Sequence, residues 1–225
     1  MACSVQVSLD LHTIEDALAV ATIAAEAGVD WLEAGTPLMM EQGMAAVRAL
    51  RAKFPKHPIV CDFKVCDGGE YFGQLAGEAG ATHFDIMAAS HDATIRGALR
   101  AADKYKLRVI ADTMFCPDPV AAAVRAQTIG AHMIGWHLGY DHRHENRGLR
   151  AIDGLADVLA AVRIPVQVVG GLSVEHAIEA ARMGAASVVI GGPLVPGDRG
   201  AKLATTLRKV VEGVRGAGAD EEPPF

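Results

Sequence analysis

Asp62, Lys64 and Asp67 fall in one short segment, Asp62-Phe63-Lys64-Val65-Cys66-Asp67, directly after the apolar run Pro58-Ile59-Val60-Cys61. A lysine set among carboxylates keeps its proton, and each carboxylate beside it stays ionised. That combination suits a site that handles a proton while negative charge develops on a bound molecule. On a β-strand, residues two apart share a face, so Asp62 and Lys64 should project together. Asp67 should lie past the strand end on the loop, leaving each acid near the cation. A surface ion pair is the plainer reading of the same residues, and the remainder of the chain has to decide between the two.

Other polar residues stand at the ends of similar apolar runs. Asp10, Glu33, Asp85, Asp112 and His137 each close one, and the glycine pairs Gly170-Gly171 and Gly191-Gly192 follow two more. Carboxylates converging on one space offer hard oxygen ligands. These suit Mg2+, which takes one or two carboxylates and completes its shell with water and substrate oxygen. Glu33 and Asp62 are the expected ligands, while Asp85 and Asp112 read as buried structural partners. His137 fits either a core histidine held by a backbone carbonyl or, at a strand end, a catalytic base. His142 and His144 fall in a polar segment, Tyr140–Arg150, expected to be a solvated loop; no cysteine joins them to make a zinc site. At the glycine pairs, the missing side chains would let backbone N–H groups approach a phosphate. A helix beginning near Ser173 would add its positive end. Neither pair brings a cationic side chain, so the backbone alone would carry the binding.

The elements that must position these residues recur with a βα period. Strands are expected at 5–11, 31–35, 59–64, 83–88, 109–114, 133–138, 166–169 and 187–190. Helices are expected at 14–27, 40–54, 69–79, 93–105, 119–129, 152–162, 174–183 and 200–214. Gly28, Gly80, Gly130 and Gly184 should each close a helix in the left-handed conformation. Runs with polar residues only at their C-terminal ends indicate strands buried on both faces, as in a parallel sheet. Eight βα units imply an α/β fold, a (β/α)8 TIM barrel forming a single domain over residues 1–215, with a weakly ordered acidic tail at 216–225. An open doubly wound sheet would call for a G-x-G-x-x-G after the first strand. None is there, and the glycine pairs follow strands seven and eight, where barrels bind phosphate.

Composition agrees with one such domain. The chain has 225 residues, is 51% hydrophobic and carries a formal charge of −6, which gives it a large core and speaks against a nucleic-acid partner. Cys3, Cys61, Cys66 and Cys116 show no C-x-x-C spacing, and no run approaches the ~20 apolar residues of a membrane helix. The expectation is a cytoplasmic protein with no membrane partner and a small-molecule ligand.

Taken together, Asp62, Lys64 and Asp67 as D-x-K-x-x-D, Asp10 in Leu-Asp-Leu and Glu33 in Glu-Ala-Gly-Thr-Pro-Leu resemble the orotidine 5′-monophosphate decarboxylase superfamily. Within it they resemble the group of 3-hexulose-6-phosphate synthases and 3-keto-L-gulonate-6-phosphate decarboxylases. The resemblance spans roughly residues 5 to 193. It implies Mg2+ held by Glu33 and Asp62, Lys64 stabilising a cis-enediolate, and a homodimer in which Asp67 enters the partner's active site. On that reading His137 is the candidate base for a C1 proton, Asp10 holds a sugar hydroxyl, Asp141 is a substrate-binding candidate, and Gly170, Gly171, Gly191 and Gly192 surround the phosphate. Thr36-Pro37-Leu38, Pro117-Asp118-Pro119, Gly191-Gly192 and His137-Leu138-Gly139-Tyr140-Asp141 are similar to the synthases, whose reaction joins formaldehyde to D-ribulose 5-phosphate. Decarboxylases have Gly-Arg in place of Gly191-Gly192 and H-x-x-R in place of the histidine motif, and they act on a keto acid phosphate through the same enediolate. After Asp141 the synthases continue with small residues and glutamine, whereas this chain reads His142-Arg143-His144-Glu145-Asn146-Arg147. The intact acid and lysine set speaks against a non-catalytic sugar-phosphate sensor on the same scaffold.

Overall fold

In the computed structural model, which describes residues 2–192, 194–195 and 200–217, eight parallel strands close a barrel in sequence order. They are β1 (Ser4–Leu9), β2 (Trp31–Ala34), β3 (Ile59–Val65), β4 (His83–Met87), β5 (Arg108–Asp112), β6 (Met133–His137), β7 (Val166–Val169) and β8 (Ser187–Ile190). β8 pairs back onto β1 with Ser187 opposite Ser4, so no strand edge is left open. Helices α1 (Ile14–Glu26) through α10 (Ala201–Ala217) cover the outside. No described helix is long and apolar enough to cross a membrane.

Local chemistry accounts for the helix starts. The Thr13 hydroxyl accepts from Asp16 N at the head of α1. Asp118 accepts from Ala121 N ahead of Pro119 in α6 (Pro119–Ile129), and Ser173 accepts from His176 N ahead of α9 (Val174–Arg182). Gly80 and Gly130 cap their helices in the left-handed region, while Gly28 and Gly184 adopt it one residue past Ala27 and Met183.

Several elements differ from the sequence expectation. The single helix anticipated over 40–54 is two, α2 (Thr36–Gln42) and α3 (Met44–Lys53). Pro37 fits the first turn of α2, and Gly43, with φ of 54° and ψ of −146°, interrupts the continuation. The segment expected to be a solvated loop begins with a helical turn, α7 (Tyr140–Glu145). The helix expected from 152 begins only at Leu155, after left-handed Gly154, as α8 (Leu155–Ala161). Helix α10 runs on to Ala217, taking Gly216 and Ala217 from the anticipated tail; 218–225 lie outside the described residues.

Inside the barrel, Trp31, Val60, Ile110 and Met133 form an apolar plug, and Trp31 stacks on His83 at 4.3 Å. Outside, Gly69, Gly73 and Gly77 line the face of α4 (Gly69–Ala79) that meets α5 (Asp92–Tyr105). A Cβ on Gly73 would sit 2.6 Å from Ala101 Cβ and 2.8 Å from Phe84 Cζ, so the close approach of the two helices depends on these glycines. Replacing Gly73 by Val should overpack this contact and cost about 1–3 kcal/mol. Urea denaturation monitored by circular dichroism would read this as a lower midpoint at unchanged slope.

Candidate active site

The C-terminal end of β3 is irregular. Strand register against β4 shifts between Cys61 and Val65, and Lys64 takes a positive φ of 49°. The carboxylate of Asp85, on β4, captures the displaced backbone: its Oδ1 accepts from Phe63 N at 2.7 Å and from Lys64 N at 3.1 Å. A lysine in the left-handed region is strained, and two hydrogen bonds to a buried carboxylate offset that strain. In this geometry the Lys64 ammonium lies on Asp62, 2.8 Å from Oδ1 and 2.9 Å from Oδ2. Simple two-residue alternation therefore does not describe how the pair meets. A bulge brings them together.

Asp62 also accepts from the backbone N and hydroxyl of Thr36, at the start of α2. Burial acts to raise its pKa. Lys64 and hydrogen bonds from Asp85, Lys64 and Thr36 outweigh burial and hold the carboxyl below its ordinary range. Asp85 goes the opposite way: burial first, and then the charge of Asp62, push it well above the usual carboxylate range. One oxygen of Asp85 thus takes the two backbone N–H groups of the bulge. Burial would lower Lys64, but Asp62, Asp85 and Asp112 overcome it and raise the ammonium above the ordinary lysine value.

In the same cavity, the Asp112 carboxylate at the end of β5 lies 2.7 Å from His137 Nδ1 at the end of β6. Its other oxygen accepts from Met114 N at 2.8 Å. A carboxylate at Nδ1 selects the tautomer protonated there and presents Nε2 as the proton acceptor. Glu33, on β2, is braced on both oxygens, by Ser8 Oγ at 2.9 Å and by Gln6 Nε2. Gln6 is oriented in turn by Gln167 Nε2 at 2.7 Å. Burial, then Asp62 and Asp10, push Glu33 up to about 8.

Glu33, Asp62, Lys64, Asp85, Asp112 and His137 line a cavity of about 30 Å³ at the barrel mouth. Asp10 sits at its rim, accepting from Ser8 Oγ at 3.0 Å, with its carboxylate against the bare faces of Gly35 and Gly191. Burial, with Asp62 next, raises the Asp10 pKa. Gly170-Gly171 and Gly191-Gly192 follow the neighbouring strands β7 and β8. Two expected residues stand apart. Asp67 is exposed on the β3–α4 loop, its Oδ1 taken by Gly68 N at 2.8 Å, and among the described residues no ion pair joins it to Lys64. Asp141 is exposed in the first turn of α7 and does not line the cavity.

Gln6, Ser8 and Gln167, which lie within strands rather than at their ends, were not expected in the site, and Thr36 was singled out only as part of a motif, not as a partner of Asp62. Gln6 and Ser8 precede Asp10 at intervals of two, a period that already puts all three on one face. Asp85 and Asp112 are partners, as expected, but each positions a particular residue of the site. Among the described residues no group of three or more His, Cys, Asp or Glu has the geometry of a metal site. His144 packs on the Tyr140 ring at 4.3 Å. A hard divalent cation would therefore rest on two carboxylates and on water and ligand oxygen. Glu33 and Asp62 fit that role: Asp62 is held ionised, and Glu33, driven up by burial and then by neighbouring carboxylates, sits where added positive charge is favourable.

Comparisons with known proteins bear on the family of this barrel. Residues 4–221 match the model of the orotidine 5′-phosphate decarboxylase / HUMPS family. The chain belongs to that family. A 3-hexulose-6-phosphate synthase of Mycobacterium gastri is 31% identical over 206 residues, covering 92% of this chain and 98% of the relative. Among solved structures of similar fold, a 3-hexulose-6-phosphate synthase from Salmonella typhimurium superposes with a TM-score of 0.86 at 28% identity, over 94% of this chain and 98% of the other. A 3-keto-L-gulonate-6-phosphate decarboxylase from Vibrio cholerae gives 0.81 at 27%, over 95% and 98%. Both branches of the family thus share this barrel.

The Glu33 shift has a consequence for stability. Its folded-state pKa of about 8 exceeds the unfolded value of ~4.3, so across that window the folded, metal-free protein binds more protons than the unfolded one. Stability should then fall as pH rises from about 5 to 8. Thermal melts in EDTA should show this decline, and Glu33→Gln should make it shallower, the raised Asp10 and Asp85 supplying the rest.

Proposed function

We propose that this protein is a Mg2+-dependent lyase of the aldolase type, joining formaldehyde to C1 of D-ribulose 5-phosphate to give D-arabino-hex-3-ulose 6-phosphate. The observation that carries the reading is that two preorganised pairs line one cavity: Lys64 clamped on Asp62, and His137 oriented by Asp112. A base and a fixed cation facing one small cavity suit proton removal next to a carbonyl.

His137 Nε2 takes the C1 proton, with Asp112 holding the tautomer and supporting the imidazolium that forms. Negative charge passes onto the sugar oxygens as the enediolate develops, and the Lys64 ammonium neutralises it without reorganisation. Asp62 fixes Lys64 in place. Asp10 receives a sugar hydroxyl. The C1 carbon then attacks the formaldehyde carbon, and the new alkoxide recovers the proton from His137. Mg2+ bound by Glu33 and Asp62 would supply Lewis-acid stabilisation of the sugar oxygens.

The synthase branch is favoured by relatives of that name across more than nine-tenths of both chains and by glycine at 192, where the decarboxylases have arginine. Decarboxylation of 3-keto-L-gulonate 6-phosphate or a related keto acid phosphate is the second reading, because the decarboxylase barrel superposes nearly as well. It would use the same enediolate.

A homodimer with shared sites is part of the proposal. Met40, Tyr71, Phe115 and Tyr140 are large exposed apolar residues, all on segments that follow strand C-terminal ends, the rim that also carries Asp67. A second copy docking there would cover them and bring Asp67 to its neighbour's Lys64.

13C NMR of labelled formaldehyde with D-ribulose 5-phosphate should give a new hydroxymethylene signal that requires Mg2+ and vanishes with chelator. Release of CO2 from a keto acid phosphate with no such signal would move the protein to the decarboxylase branch. Lys64→Ala should lower kcat by roughly 10²-fold or more; near-normal turnover would remove Lys64 from the chemistry. Mixing the inactive Lys64→Ala and Asp67→Ala proteins should restore part of the activity through heterodimers, and no recovery after proven subunit exchange would refute shared sites.

A further inference from the structure

The turn after β7 is built against the β6–α7 segment. Gly170 (φ 120°) and Gly171 (φ 61°) are both in the left-handed half of backbone space. A Cβ on Gly170 would collide with the carbonyl oxygen of Leu138, the residue after His137. On Gly171 it would collide with the guanidinium of Arg143, whose Nε lies 2.8 Å from that position. The guanidinium therefore rests directly on the bare face of Gly171. It is braced from the other side by Tyr140, whose ring centroid is 5.9 Å from the guanidinium carbon. Arg143 Nε is buried without a hydrogen-bond partner, and among the described residues no carboxylate pairs with this side chain.

A buried N–H donor left without a partner is costly, and the position of this guanidinium on a glycine turn after β7 indicates what would satisfy it. We propose that Arg143 is the side-chain cation of a phosphate site at Gly170-Gly171, closing over the phosphate of the sugar substrate. The inference rests on the sugar-phosphate reading given under Proposed function. A phosphate at the turn would accept from backbone N–H groups and from the guanidinium fork together. Neither glycine pair brings a cation of its own, so α7 supplies from a neighbouring strand what the β7 and β8 turns lack. It does so with a segment, His142 to Arg147, that differs from the small residues and glutamine expected there. Gly171 is then required twice over, for its φ and for the space the guanidinium fills.

The test is binding of inorganic phosphate to the full chain, followed by 31P line broadening, alongside KM and kcat for D-ribulose 5-phosphate. Arg143→Ala should weaken phosphate binding and raise KM roughly 10- to 100-fold with a much smaller change in kcat. Arg143→Lys should recover part of the loss, and Arg147→Ala, an exposed neighbour, should match the wild type. Equal phosphate binding by wild type and Arg143→Ala overturns the inference, as does phosphate binding by neither. Phosphate binding that depends on Arg143, in a protein inert toward ribulose 5-phosphate, would uphold the anion site while refuting the sugar substrate, so the two readings fail separately.

Discussion

The controlling constraint is electrostatic: Asp10, Glu33, Asp62, Asp85 and Asp112 are brought to one barrel mouth around a single lysine. Each ionised carboxylate removed from water carries a penalty of several kcal/mol unless something compensates it. The barrel compensates each one differently. Asp62 has Lys64, Asp85 accepts from the Phe63 and Lys64 backbone, Asp112 faces His137, Glu33 is wrapped by Ser8 and Gln6, and Asp10 accepts from Ser8. None of these arrangements could be removed without leaving its neighbour unpaired, so the site behaves as one network.

That network dictates backbone geometry as well as charge. The bulge at the end of β3 exists because the Asp85 carboxylate satisfies two N–H groups that the ladder to β4 would otherwise have taken. In exchange, Lys64 adopts a conformation that most residues avoid, and its ammonium is held bidentate on Asp62. Strain concentrated at one residue and relieved by a neighbouring strand is common where side-chain position matters for chemistry. The apolar plug of Trp31, Val60, Ile110 and Met133 underneath gives the cluster a rigid, water-poor floor.

Family membership and site geometry constrain each other. The barrel is shared by a synthase and a decarboxylase, so fold cannot choose between them. Gly192 and the segment after His137, where this chain is similar to the synthases, lie on the loops that follow β8 and β6.

Much of this was readable without coordinates, for a definite reason. Strand and helix periods, the helix-closing glycines and the residues at strand C-terminal ends are local properties. A parallel barrel converts position along a strand directly into position at the mouth, so Glu33, Asp62, Lys64 and His137 could be assigned to one site from order alone. What depends on contacts between strands could not be read. The bulge that aims Lys64 comes from Asp85 on the next strand, the tautomer of His137 from Asp112, and the brace on Glu33 from Gln6 and Gln167 on strands far apart in the chain. Arg143 looked like part of a solvated loop because a six-residue helix of charged and aromatic residues carries no apolar period. Only the packing of that turn onto Gly171 gives its guanidinium a place. Sequence determined which groups reach the mouth, since that follows from the βα repeat. Tertiary structure decided which of them touch, because hydrogen bonds and charge pairing act across strands whose separation in the chain hides them.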